Sequence, residues 1–223
     1  MSALFDYMIG LKMGIVDGRI HGKSAGGIVR TEGLSPSYFT FDLDMPTMYE
    51  DKYRKVRAEL LQFHAYASRI ITTIPHGHAK PFGAWSRGGA ITVSAVTGVF
   101  VTLSGFTPSV TTQVASGDLI QFRGDSKVYQ VVRDANSDGS GNVIVELSSI
   151  MVREPNVSFS IRWGEDVKFQ LFLERQPVAV SIPGRSGKPL YSFSEAILLT
   201  EGLRPYDLQP GEDILFFEDW SNA

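Results

Sequence analysis

The chain has 223 residues, of which 43% are hydrophobic and 20% charged, with a formal net charge of −3. This balance excludes wholesale disorder, and mild acidity argues against a protein that coats nucleic acid. Cysteine is absent, so disulfides, thiolate catalysis and cysteine-ligated zinc or iron–sulfur centres are excluded outright.

Met1 to Met8 has no basic n-region and no apolar signal core, so no secretion leader is expected. Residues 6 to 43 then read as short strands with Gly-rich turns. Tyr7-Met8-Ile9 and Gly14-Ile15-Val16 are apolar pieces. Asp17-Gly18, between Ile15-Val16 and Arg19-Ile20, is a hairpin signal. Gly26-Gly27 precedes a strand at Ile28 to Thr31. From Tyr38 to Met45 polar and apolar residues alternate, with Phe39, Phe41, Leu43 and Met45 on one side, as in a half-buried strand.

A helix is expected over about residues 48–67. Thr47 is a good N-cap, and Glu50 three residues on completes a capping box. Tyr49, Tyr53, Val56, Leu60, Phe63 and Ala67 recur at helical spacing and form one apolar stripe, read as core. Glu50 with Arg54 and Asp51 with Lys55 give i,i+4 pairs on the wet face, worth a few tenths of a kcal/mol each. Ile70 to Ile74 is β-branched, ends at Pro75, and reads as a strand.

Residues 76–89, HGHAKPFGAWSRGG, break the composition. Ala90 to Leu103 is rich in Val and Thr; its polar interruptions and length rule out a membrane span. Asp118 to Phe122 and Lys127 to Val132 are strands around the turn Arg123-Gly124-Asp125-Ser126. Asp134 to Asn142 is a polar hairpin loop, and Val143 to Leu147 a further strand. Strands spaced by about ten residues suggest an antiparallel barrel or sandwich. Asp166 to Glu174, Pro177 to Ile182, Tyr191 to Thr200 and Asp213 to Trp220 complete the strands. The expected fold is therefore mainly β, with one long amphipathic helix. Residues 1–87 plus 161–223 would form one β-sandwich, and 88–160 a small antiparallel β-barrel, OB-like or similar, threaded into it.

Several stretches invite a chemical reading. Asp134, Asn136 and Asp138, followed by Gly139, match the opening of a calcium loop. The match fails at the twelfth position, which is Val145, so a polar hairpin tip is the plainer reading and no metal is expected. Gly18 to Ser24 resembles a phosphate loop but has three residues between its glycines where the motif needs four, and is read as a turn between strands. His76 and His78 alone are too few for a closed zinc site, and His21 or His64 would have to join them through space. Asp42 with Asp44, and Glu212 with Asp213, read as ordinary surface charges. Trp85, Trp163 and Trp220, with Phe82, Phe216 and Phe217, are candidates for a sugar-stacking surface, or else for core and interface. Ile214, Leu215, Phe216 and Phe217, with Trp220, form an apolar terminal strand that needs a partner sheet, its own or a neighbour's. The chain carries no H-E-x-x-H motif, and no enzyme and no cofactor are expected.

The order of these pieces resembles the distal tail proteins of long-tailed bacteriophages. The resemblance rests on the strand Phe39 to Pro46, the helix after Thr47, and the strand Ile70 to Pro75. It continues with Asp118 to Phe122, Val128 to Val132, the polar hairpin Ser137 to Val145, and Met151 to Pro155. It spans roughly residues 27 to 200. What it implies is a structural virion protein at the tail tip: a tail-tube-like β-sandwich with a packed helix, carrying the small barrel on its outside. It implies a homo-hexameric ring joining the tail tube protein to the baseplate hub and receptor-binding proteins, with DNA only passing through the channel and no membrane contact. Six copies would carry about −18, which repels DNA if the charges face inward. The alternative is a carbohydrate-binding or host-adhesion module of the tail tip.

Overall fold

The computed structural model describes residues 10–16, 19–23, 29–33, 36–47, 49–65, 70–74, 79–152, 155, 157–175, 181–182, 185–186 and 190–195; within the helix and several strands only the backbone is described. The described residues are mainly β, with one α-helix. The chain divides into two units, Met1–Lys80 with Glu165–Ile197, and a second built on Pro81–Gly164. Among the described residues, no helix is long and apolar enough to cross a membrane.

The first unit is built on a five-stranded antiparallel sheet. Its strands are β1 (Gly10–Val16), β4 (Tyr38–Asp44), β5 (Ile70–Thr72), β12 (Phe169–Arg175) and β15 (Leu190–Glu195), in the order β1-β4-β15-β12-β5. β5 and β12, which flank the second unit in sequence, pair directly, Phe169 opposite Thr72. The alternation read from Tyr38 to Met45 is present: Phe39, Phe41, Leu43 and Met45 are buried, with half-buried polar residues between them. Tyr191 and Phe193 of β15, and Phe169 and Leu171 of β12, bury on the same face. The Phe169 ring meets Phe39 and Phe41 edge-on, at centroid distances of 5.5 and 4.9 Å. Such pairs add about 0.5–1.5 kcal/mol each beyond area burial.

Two small ribbons accompany this sheet. β2 (Arg19–Lys23) pairs with β3 (Val29–Gly33), and β13 (Ser181–Ile182) with β14 (Arg185–Ser186). The hairpin expected at Asp17-Gly18 is therefore corrected. The strands on either side of it, β1 and β2, pair with β4 and β3. A turn dipeptide reports local backbone preference; the partner is selected by the apolar face that β1 shares with β4.

The helix α1 spans Glu50–Ala65. Its first turn closes with the Tyr53 N–H on the Tyr49 carbonyl, so Tyr49 holds the N-cap position expected of Thr47. Val56 is fully buried and Tyr53 half-buried, but Tyr49 is exposed because it lies ahead of the first turn. Tyr53 and Arg57 lie close enough to the buried Tyr191 hydroxyl to act on its titration.

The second unit contains two three-stranded antiparallel sheets. One is β10 (Val143–Glu146), β7 (Phe100–Phe106) and β6 (Arg87–Thr97); the other is β11 (Ile161–Trp163), β8 (Leu119–Phe122) and β9 (Val128–Gln130). Neither sheet closes as a continuous ladder. Their edges meet through single bridges, Thr92 with Ser160 and Val131 with Leu147. Val93, Leu103, Ile120, Tyr129, Val143 and Val145 are among the residues of its core.

Candidate functional site

The sheet of the first unit has two chemically distinct faces. Alternation puts Phe39, Phe41, Leu43, Tyr191 and Phe193 on one side. The positions between them, Lys12 on β1, Thr40, Asp42 and Asp44 on β4, and Ser192 and Ser194 on β15, share the other. Lys12 stands opposite Asp42, which in turn stands opposite Ser192. The Ser192 hydroxyl donates to the Asp42 carboxylate at 2.7 Å. This face is hydroxyl- and carboxylate-rich and partly exposed, and the register also places on it Tyr38 opposite Val16, the exposed Phe172 opposite Ser194, and Arg175 opposite Ser192. On the apolar side, Glu195 is buried and its carboxylate accepts the Phe39 N–H at 3.1 Å, holding β15 to the start of β4. Burial, with Tyr53 nearby, pushes the Tyr191 hydroxyl up to about 12, against a smaller opposing effect of Arg57.

β1 forms one border of this sheet. From Lys12 to Val16 all five residues are exposed, with Met13 at 39% and Ile15 at 47%. Met13 lies opposite Phe41 and Ile15 opposite Phe39, so these two continue the apolar face into solvent.

In the second unit the aromatic candidates are engaged internally. Trp85 is buried and stacks on Trp163, with centroids 5.1 Å apart and planes 5° from parallel. The Arg87 guanidinium lies 4.3 Å from the Trp163 ring centroid. The indole N–H of Trp85 donates to Asp118 at 2.6 Å. The sugar-stacking reading of Trp85 and Trp163 is corrected accordingly: each ring has a protein partner. Phe82 is 79% exposed. Trp220, Phe216 and Phe217 lie outside the described residues, as do Ile214, Leu215, Glu212 and Asp213.

Asp118 is the polar centre of this unit. Its carboxylate accepts main-chain N–H groups from Phe82 at 2.7 Å, Gly83 at 3.2 Å and Ala115 at 2.9 Å, besides the indole. A Cβ on Gly83 would come within 2.8 Å of this carboxylate and of two main-chain atoms, so glycine permits the approach. The Gly-rich break in the sequence is therefore a segment held to Asp118. A second buried carboxylate, Asp125, accepts the Lys127 N–H at 2.9 Å and the Tyr129 hydroxyl at 2.7 Å. That hydroxyl in turn accepts the Val152 N–H at 2.8 Å. Asp118 is marked by no sequence motif, because its donors come from residues up to 36 positions away.

The oxygens of the calcium-like loop hold main chain. Asp134 accepts the Ser116 N–H at 2.8 Å, and Asn136 the Thr112 N–H at 2.7 Å. Asp138 accepts the Ser140 and Asn142 N–H groups, both at 2.8 Å. The bonds from Asn142, main chain first and then side chain, hold the Asp138 carboxyl below the usual carboxylate range. Among the described residues, no group of three or more His, Cys, Asp or Glu could hold a metal ion. The phosphate-loop look-alike is also corrected: Arg19–Lys23 is itself a strand, not a turn, with Gly22 opposite Arg30. His21 falls on β2 and His64 on α1, while His76 and His78 lie outside the described residues.

Scans against protein-family models and curated proteins gave no match. The class defined by the fold is a mainly β, two-unit chain with one two-faced antiparallel sheet.

Proposed function

We propose that this chain is a structural virion protein that forms a ring at the distal end of a phage tail, joining the tail tube to the baseplate or receptor-binding apparatus. In this reading the first unit is a tail-tube-like core, and the second a small inserted barrel whose two sheets meet through the Thr92–Ser160 and Val131–Leu147 bridges. The observation that carries the reading is the two-faced sheet. A ring around DNA needs a surface that neither grips phosphate nor stacks on bases. Thr40, Asp42, Asp44, Ser192 and Ser194 offer hydroxyls and carboxylates, beside Lys12, the exposed Phe172 opposite Ser194, and Arg175 paired with Ser192. Repeated around a ring, the carboxylates and hydroxyls of β4 and β15 would keep cations from dominating the bore, so that a polyanion slides.

The test is DNA retention. The purified native protein is expected to hold no duplex DNA at physiological salt. The double variant Asp42→Lys, Asp44→Lys, checked for unchanged secondary structure by circular dichroism, is expected to retain DNA in a salt-sensitive way. Tight DNA binding by the native protein, or no gain in the variant, contradicts a DNA-facing role for this surface.

A further inference from the structure

We infer that Asp138-Gly139 is a protected modification site: the hydrogen bonds that hold Asp138 suppress its spontaneous isomerisation to isoaspartate. This holds whether or not the chain forms a ring. The sequence has two Asp-Gly pairs, Asp17-Gly18 and Asp138-Gly139. Asp followed by Gly is especially prone to this reaction, because no Cβ shields the glycine nitrogen. Asp138, Gly139 and Ser140 are all exposed, so burial does not keep water from the site. Protection has to come from the bonds themselves.

The reaction starts from the neutral carboxyl. The Gly139 nitrogen attacks Asp138 Cγ and gives up its proton; a ring closes, and the carboxyl hydroxyl leaves with that proton as water. Water then adds to the Asp138 main-chain carbonyl carbon and breaks its bond to the Gly139 nitrogen, so the chain now runs through Cβ and Cγ. An ionised carboxylate is a poor electrophile and has no hydroxyl to lose. Here Asp138 Oδ1 accepts the Ser140 and Asn142 N–H groups, both at 2.8 Å, and Oδ2 accepts the Asn142 side-chain amide at 3.0 Å. These bonds favour the ionised form. Attack must also expel one of the two oxygens, and each is held by at least one of them.

The main chain at Asp138 is held as well. Its N–H donates to the Asn142 carbonyl at 2.9 Å, and its carbonyl accepts the Ser109 N–H at 2.9 Å and the Gly141 N–H at 3.1 Å. Isoaspartate would turn that carbonyl into a free carboxylate branch and lengthen the main chain, unseating the loop from Thr107 to Val114. The groups that act on the Asp138 carboxyl are the N–H groups of Ser140, Gly141 and Asn142. Thr107 to Val114, which packs against the loop, holds no titratable side chain. Asp134, the other acid of the loop, accepts the Ser116 N–H, and Arg133 beside it pairs with Glu146 at 3.1 Å.

The full-length protein is aged in mildly acidic buffer, folded and, in parallel, unfolded in guanidinium chloride. Isoaspartate is located by mass spectrometry with electron-transfer fragmentation, and Asp17 in the unfolded chain is the internal rate standard. Folded Asp138 is expected to isomerise at least about tenfold more slowly than unfolded Asp138. Equal rates in the two states overturn the inference. Two further measurements separate the bonds from folding in general. Asn142→Ala, with an unchanged circular dichroism spectrum, is expected to raise the folded rate about threefold; a folded variant with no rise overturns the inference. The second needs no variant and decides alone if Asn142→Ala does not fold. The folded Asp138 rate should fall away at a lower pH than the unfolded rate does, because the folded carboxyl ionises first. Profiles that fall away at the same pH overturn the inference as well.

Discussion

In the unit built on Pro81–Gly164, each edge of the two three-stranded sheets meets further chain. β6 reaches Phe159 and Ser160, and the β9 and β10 edges meet at Val131 and Leu147. Its carboxylates at Asp118 and Asp125 are buried and hydrogen-bonded. The five-stranded sheet of the other unit instead ends at β1, exposed from Lys12 to Val16, and turns a hydroxyl and carboxylate face outward. One unit engages its sheet edges and its buried carboxylates within itself, though Ser149 Oγ is buried without a partner, while among the described residues the other leaves an edge and a face open. Substitutions in the first should cost stability, and substitutions at the second should cost assembly.

The largest expected effect is at Asp118. Asp118→Ala leaves four donors without their acceptor, and urea unfolding should show a loss of about 3–4 kcal/mol. Tyr129→Phe follows, at about 1–3 kcal/mol, because the Asp125 oxygen and the Val152 N–H both lose the hydroxyl between them. Ile15→Lys, on the exposed edge, should change unfolding free energy by roughly 0.5 kcal/mol or less. It should nevertheless lower the mass of any assembly in solution. A stability loss at Ile15 comparable to that at Tyr129 would erase the distinction between the units.

Titration sharpens the same contrast from opposite ends of the pH scale. Tyr191 has its folded value raised to about 12. Its contribution to stability is complete below the unfolded value near 10 and is lost as pH rises toward 12. Asp138 is lowered, so its contribution is present above the ordinary carboxylate value and is lost as pH falls through the folded one. Ultraviolet titration should find a tyrosine ionising above the ordinary value near 10, and carboxyl NMR should find Asp138 ionising below the ordinary carboxylate value. Ordinary values at both positions would remove the packing around Tyr191 and the turn around Asp138 from the account.

What could be read in the sequence follows from the range of each interaction. The burial of Phe39, Phe41 and Leu43 was legible because strand alternation is written in consecutive residues. A helix was legible near this position, but of its expected apolar stripe only Val56, buried, and Tyr53, half-buried, are described within Glu50–Ala65, and the start moved to Glu50 because the Tyr49 carbonyl accepts the first helical bond. Asp17-Gly18 misled because pairing is decided by a distant apolar face. Asp134, Asn136 and Asp138 looked like ligands because the same oxygens that suit a cation also suit main-chain N–H groups. The Asp118 cluster was invisible, since its donors at Phe82, Gly83 and Trp85 lie beyond any local pattern. The two-faced sheet was legible strand by strand, but not as a surface until the β1-β4-β15 register joined Lys12, Asp42 and Ser192.

The most direct test of the ring is the mass of the full-length protein in solution by light scattering, with negative-stain imaging of the same fraction. A closed ring near six subunits with a central hole is the predicted result. A monomer at every concentration, with no ring in the images, would contradict it.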